Sequence, residues 1–219
     1  MKRHAHNAFS DQILTEFASR YGAAVKSLKN LGGFENFVYE FENGGKFYIL
    51  RITHGSHRSP DQIYSEVHWI RFLSDQGVSV SRPILSVNGK LVEEYGSGES
   101  DFSAVLFEKA AGNLAGENEW KEPLFRKMGR MTGKMHSLTK RYEPDSGKKR
   151  LDWLETMDDA LKVCGDGTGQ KLRSLREHFL QLPQGKDEYG LIHDDFHRGN
   201  FFINDGDITL FDFDDCKYS

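Results

Sequence analysis

Between Gly190 and Cys216 the chain reads GLIHDDFHRGNFFINDGDITLFDFDDC. Seven Asp and two His are set among Phe, Ile and Leu. Asp is a poor strand former and costly to bury, so such a segment folds only where its carboxylates reach water, a donor or a cation. Asp205-Gly206 lies between two strand-like runs, Phe201 to Asn204 and Ile208 to Phe213, and marks a tight hairpin turn. That turn brings Asp212, at the end of the returning strand, back beside Asn200 and Asp195. Hard oxygen donors so placed suit Mg²⁺. A further carboxylate that does not ligate metal is free to take a proton from a hydroxyl.

The rest of the chain must supply a scaffold. Its 219 residues suffice for one large domain or two small ones, and 37% hydrophobic and 12% aromatic content support a real core. A net charge of -4 argues against a nucleic-acid partner. No apolar run reaches the length of a membrane helix, about 20 residues, and the first residues lack the apolar core of a signal peptide. Cys164 and Cys216 are far apart and read as reduced thiols of a cytoplasmic protein. His4 and His6 read as part of a solvated, partly disordered end.

Ser10 caps a short helix that Gly22 stops. FENFVYEF and KFYILRI, joined by Asn43-Gly44-Gly45, form a hairpin. Ser59, Pro60 and Gln62 open a capped helix with Ile63, Val67, Ile70 and Leu73 on one stripe, closed by Gly77. PILSV and KLVEEY around Asn88-Gly89 suggest a second hairpin, and SAVLFEKA one more strand. A Met-rich stripe predicts a long helix from about Glu119 to Arg141, and two helices follow between about Leu151 and Leu182, with VCGDGTGQ as the loop between them. The expectation is an α+β, bilobal architecture: residues 1–110 form an antiparallel-sheet lobe, and 111–219 a mainly helical one. The boundary falls at Glu108 to Asn113.

His193-x-Asp195-x-x-x-x-Asn200 fits the kinase catalytic-loop template H-x-D-x-x-x-x-N, with Asp212 following as the metal carboxylate. HDDFHRGN and FDFDD together resemble the catalytic segment of the aminoglycoside phosphotransferase family, which includes homoserine-kinase-like enzymes and is related to the protein kinases. The family usually reads H-G-D-x-H-x-x-N and then I-D-F-D/E. Asp194 stands where Gly is usual, and its side chain is expected to point to solvent.

The resemblance covers nearly the whole chain and implies a protein-kinase-like fold. It implies that Gly32, Gly33 and Asn36 sit in a loop over nucleotide phosphates, that Arg51 replaces the phosphate-binding Lys of the third strand, and that Glu66 holds it. FEKAAG, with Glu108 and Ala110, would be the hinge against the adenine. GRMTGKMHSL is similar to the family's G-x-x-x-A-x-L-H helix. His193 and His197 would brace the catalytic loop, and Asp214 reads equally as a support for the metal site or as a solvated carboxylate.

The implied activity is Mg²⁺-dependent transfer of the γ-phosphoryl group of ATP, or GTP, to a hydroxyl of a small molecule. Aminoglycosides, homoserine, choline-like alcohols and sugars are the acceptor classes. Asp195 would orient and deprotonate the acceptor, and Asn200 and Asp212 would hold Mg²⁺. Glu155, Asp158 and Asp159 read as a solvated helix face rather than as an acceptor site. The family normally continues with further helices beyond IDFDD. An alternative reading is therefore a nucleotide-binding but inactive fragment, with exposed helical faces that favour a homodimer. A protein kinase of the stress-response type and a metal-dependent hydrolase built on HDDFH are lesser alternatives.

Overall fold

The computed structural model describes residues 3–96, 101–145 and 150–219, without the side chains of 3–5. His4 therefore lies outside the described side chains. The first segment, read from sequence as a loose end, forms helix α1 (Arg3–Ala8), and His6 meets the Phe37 ring edge-on at 5.2 Å. Helix α2 (Asp11–Arg20) starts at Ser10, whose hydroxyl accepts from the Ile13 N–H at 3.4 Å.

Strands β1 (Lys29–Gly32), β2 (Phe37–Asn43) and β3 (Lys46–His54) form an antiparallel run. The β2–β3 turn has positive φ at both Gly44 and Gly45, the geometry whose twist matches paired strands. Helix α3 (Pro60–Asp75) has the expected capping box between Ser59 and Gln62. Strands β4 (Pro83–Ile84), β5 (Glu93–Tyr95) and β6 (Phe102–Glu108) follow. The sheet runs β1-β2-β3-β6-β4, with β5 also on β6, and every pairing is antiparallel.

The second hairpin is a correction. β4 and β5 do not pair with each other; both pair with the free edge of β6. The Asn88-Gly89 turn between them is held by Glu93 instead. Its buried carboxylate accepts from Ser86 Oγ at 2.6 Å, Asn88 Nδ2 at 2.8 Å and Arg20 Nη1 at 3.1 Å. β6 offers seven residues of unpaired edge, enough to satisfy both short strands.

Alternation along β3 assigns its two faces. Leu50 and Ile52, both 0% exposed, pack with Ile13 and Phe17 of α2 and with Phe102. Burial of each such side chain stabilises by about 1.5–3 kcal/mol. Ile49 and Arg51 point to the other face, towards α3. The Ile63, Val67, Ile70 and Leu73 stripe of α3 fills a larger core with Val105, Phe107, Met135, Leu191, Phe201 and Phe213. This core runs across residues 108–113.

Helix α4 (Glu122–Thr139) is shorter than the Met stripe suggested. Pro123 sits in its first turn, where proline's missing N–H costs nothing, and Trp120 lies before it. Helices α5 (Trp153–Val163) and α6 (Asp166–Leu180) are present, but α6 begins inside the expected loop. Gly165 takes the N-cap position and Asp166 favours the positive helix start. Gly169 is buried against Arg173, so packing overrides its low helix propensity. α5 has no fully buried residue, and Val163, Leu175, Leu180 and Leu182 are exposed, as expected for these helices. Strands β7 (Leu191–Ile192), β8 (Phe201–Asn204), β9 (Asp207–Leu210) and β10 (Lys217–Tyr218) complete the chain; β8 pairs with β9 and β7 with β10. Among the described residues no helix is long and apolar enough to cross a membrane.

Candidate active site

The sheet, α3 and the β8–β9 hairpin enclose a cleft of about 590 Å³, within the range of small-ligand sites. Gly33, Asn36, Arg51, Glu66, Ala110, Asp195, His197, Asn200, Asp212 and Asp214 all line it. Gly32, Glu108 and His193 do not. Gly32 is exposed at the end of β1, with its N–H on Asn30 Oδ1 at 2.7 Å. Glu108 is exposed, and its N–H is committed to Arg82 O. His193 is buried beneath the site.

The loop between β1 and β2 is shaped by Gly33. Its φ is +140°, and a Cβ there would stand 2.1 Å from the Asn36 carbonyl oxygen. Asn36 is buried and accepts from Thr53 Oγ1 at 2.6 Å, which ties the loop to β3.

Arg51 and Glu66 form a buried, two-pronged ion pair with both contacts at 2.8 Å. Read from sequence alone, this pair could have been a surface contact; it is instead 6% and 0% exposed. Burial opposes the charge on Arg51, but Glu66, with Asp214 and Asp212, overrides it and holds the guanidinium above its usual range. The guanidinium also lies over the Phe107 ring, 5.3 Å from its centroid.

The catalytic-loop motif closes on itself. Asn200 Nδ2 donates to Asp195 O at 3.0 Å and to Asp195 Oδ2 at 2.8 Å. Both amide hydrogens are thus committed, and Asn200 has only its amide oxygen to offer a ligand. His193 Nδ1 accepts from the Asp195 N–H at 3.2 Å, so the proton sits on Nε2, which donates to Phe211 O at 3.2 Å. Burial lowers the His193 pKa and keeps this neutral form. His197 accepts from the Gly199 N–H at 3.0 Å, and its Nε2 is 3.7 Å from Asp195 Oδ2. Asp194 has φ +66°, the left-handed region where glycine is at ease. Its exposed carboxylate is not simply solvated, because Lys217 Nζ lies 2.6 Å away.

The returning strand ends at Leu210, two residues earlier than expected. Asp212 then takes φ +61°, which re-aims its carboxylate into the cleft. It is open to water on that side and walled by protein on the others. Withdrawal from bulk solvent raises its pKa to about 6; Arg51 opposes the shift, while Asp214, Glu66 and Asp215 add to it.

Asp214 is not a solvated carboxylate. It is 6% exposed, and its Oδ2 lies 2.5 Å from His57 Nε2. Burial alone would raise its pKa, but His57, Arg51 and Arg58 hold it below the usual carboxylate range. Its Oδ1 is buried with no hydrogen-bond partner among the described residues. His57 also reaches Glu35 Oε2 on the Gly33 loop at 3.1 Å. Sequence reasoning missed His57 and Arg58, which follow β3 in a loop without any motif. It also missed Val38 and Ile49, though these share the cleft-facing alternation of Arg51.

Two of the acidic residues on the inserted helices are paired. Asp158 pairs with Arg176 at 2.8 Å, and Asp159 with Lys162 at 2.6 Å.

Comparison with known proteins gives the same picture from outside. The model of the phosphotransferase enzyme family matches residues 28–219. An amicoumacin kinase of Bacillus subtilis (strain 168) is 40% identical over 220 residues, which cover 95% of this chain and 64% of that protein. The chain therefore spans less than two thirds of that relative's length. The solved structure of an amicoumacin kinase in complex with AMP-PNP, Ca²⁺ and Ami has 37% identity and a TM-score of 0.93, over 100% of this chain and 68% of that one. A microcompartment-associated aminopropanol kinase has 27% identity and a TM-score of 0.72, over 95% and 70%.

Proposed function

The chain belongs to the phosphotransferase enzyme family and has its bilobal, protein-kinase-like α+β fold; from that premise we propose that it moves the γ-phosphoryl group of ATP to a hydroxyl of a small amino alcohol. Residues 1–110 supply the nucleotide lobe and 111–219 the catalytic lobe. The observation that carries the proposal is the convergence of Asp195, Asn200, Asp212 and the Arg51–Glu66 pair on one cleft.

The site fits a divalent cation. Asn200 Oδ1 and the Asp212 carboxylate are hard oxygen donors on one wall. Asp214 Oδ1 is a buried acceptor with no hydrogen bond among the described residues, though Arg58 Nε stands 3.9 Å away. Asn200 and Asp212 would hold Mg²⁺, which supplies charge neutralisation for the phosphates when bound.

Arg51, whose fork is held by Glu66, offers its remaining Nη hydrogens to phosphate oxygens. The Gly33 to Asn36 loop covers them and excludes water. The main chain at Lys109 and Ala110, which line the cleft, receives the base. Asp195, held by Asn200 Nδ2 and by the bond from its own N–H to His193, accepts the acceptor's hydroxyl proton at its carboxylate. Its orientation is set before substrate arrives, which is where catalysis by positioning comes from.

The acceptor class rests on the relatives, because the further carboxylates of the cleft, Glu35 and Asp215, are already paired with His57 and Arg58. The two solved relatives at 27% and 37% identity are an aminopropanol kinase and an amicoumacin kinase.

Thermal unfolding with and without Mg²⁺ and a non-hydrolysable ATP analogue tests the nucleotide site, because a ligand of the folded state must raise its stability. The expected result is a metal-dependent upward shift that is lost in Asp212→Ala. Coupled detection of ADP across a panel of amino alcohols and uncharged alcohols then tests the acceptor. Turnover only with uncharged alcohols would overturn the amino-alcohol reading, and no metal-dependent shift would overturn the phosphotransferase reading.

A further inference from the structure

Arg150 has no role in the site described so far. It lies at the start of the segment leading into α5, far in sequence from every catalytic residue, yet it is only 3% exposed. Nε donates to Cys216 O at 2.6 Å, and Nη1 to Gln62 O at 3.1 Å. Nη2 donates to Phe213 O at 3.5 Å and to Asp214 O. All four acceptors are main-chain carbonyls. Burying a guanidinium is costly unless its donors are satisfied, so the fold has invested a charge in fixing backbone.

The backbone it fixes is the one that aims Asp212. Residue 212 is a non-glycine in the left-handed region, a conformation that persists only where its surroundings over-determine it. Residues 213–216 are neither helix nor long strand, so their carbonyls have no ladder to join. Arg150 donates to three of them at once, sharing Phe213 O with the Cys216 N–H and Asp214 O with Arg58. Phe213 anchors the same turn from its other side, its ring 5.5 Å from Trp69 and 4.3 Å from His193.

The remaining contact reaches the other lobe. Gln62 is in the first turn of α3, and its carbonyl is one helical turn before Glu66. One guanidinium therefore joins the helix that holds Arg51 to the turn that holds Asp212.

We infer that Arg150 is a positioning residue for the metal carboxylate: it sets Asp212 in register with the Arg51–Glu66 pair by tying the 213–216 carbonyls to the start of α3. The inference rests on the phosphotransferase reading of the cleft. Its expected signature is selective. Supports of this kind around a metal ligand change metal affinity by about 10- to 100-fold when removed. The base and loop contacts of the nucleotide do not pass through Arg150.

The test is calorimetric titration of ADP into the full chain, once with Mg²⁺ and once with EDTA, for the wild type, Arg150→Gln and Arg150→Lys. Arg150→Gln should lose about 10-fold or more of the affinity that Mg²⁺ adds and keep its affinity in EDTA. Arg150→Lys, with its charge but no fork, should fall between the two. Equal titrations for wild type and Arg150→Gln overturn the inference. Equal losses in both buffers also overturn it, because they mark a merely structural residue. Should Arg150→Gln give no cooperative unfolding transition, Arg150→Lys decides by the same two criteria, and failure of both variants to fold makes the role structural. A wild type that binds no ADP in either buffer removes the phosphotransferase reading itself, a result distinct from all of these.

Discussion

Glu66→Ala would leave the Arg51 guanidinium buried without its hydrogen-bonded counter-ion, with only the more distant charges of Asp214 and Asp212 remaining. Two charge-assisted hydrogen bonds of 2.8 Å disappear together, and Arg51 Nε already lacks a partner among the described residues. Hydrogen bonds to charged groups contribute about 1.5–3 kcal/mol each, and removing one member of a buried pair costs about 3–5 kcal/mol. The two routes meet near 4 kcal/mol. For a chain of this size one kcal/mol moves Tm by roughly 2–4 °C, so the expected fall is about 8–16 °C. Circular-dichroism melts near neutral pH would measure it, alongside Arg51→Met and the pair Arg51→Met/Glu66→Leu. The double variant should melt above Glu66→Ala, because no charge is then left buried. A fall below about 3 °C for Glu66→Ala, or a double variant no more stable than the sum of the singles, would refute the reasoning.

Asp212 predicts a pH dependence. Its native pKa of about 6 lies above the ordinary 3.8, so its contribution to stability is fully present below the ordinary value and is lost as pH rises through about 6. Water in the cleft screens the group, and the loss should not exceed about 1 kcal/mol. Melts of the metal-free protein between these pH values should show the loss, and Asp212→Asn should abolish it; Mg²⁺-dependent stabilisation should grow over the same interval. Gly33→Ala drives a Cβ against Asn36 O, and should weaken nucleotide binding by about 10-fold in a titration and lower Tm by a few degrees, since the buried Asn36 must shift from Thr53. Glu93→Ala strips the Asn88-Gly89 turn and Arg20 of a buried acceptor, and should cost about 3 kcal/mol in a denaturant melt without touching nucleotide affinity.

What was legible in advance shares one property: short range. Ser10, Ser59 and Gln62 cap helices through bonds to residues three apart. The Gly44-Gly45 and Asp205-Gly206 turns are set by the φ their residues accept. Asp195 and Asn200 are five residues apart in one loop, and a tight hairpin returns Asp212 beside them. Residue type and spacing determine such features, because the interacting groups are never more than a turn or a hairpin away.

Only the tertiary structure decided the rest. β4 and β5 chose β6 over each other because a longer edge was available to both. β9 stops at Leu210 because Phe213 is taken up between Trp69 and His193. The Arg51–Glu66 pair became buried because α3 closes over the sheet, and no local spacing encodes the water it excludes. Arg150 reaches Gln62 across 88 residues. Residue order laid down the catalytic-loop motif and the elements that bear it. Burial, and with it the charge state and aim of Asp212 and Asp214, came from the assembled fold, because desolvation is set by everything that packs around a group and not by its neighbours in the chain.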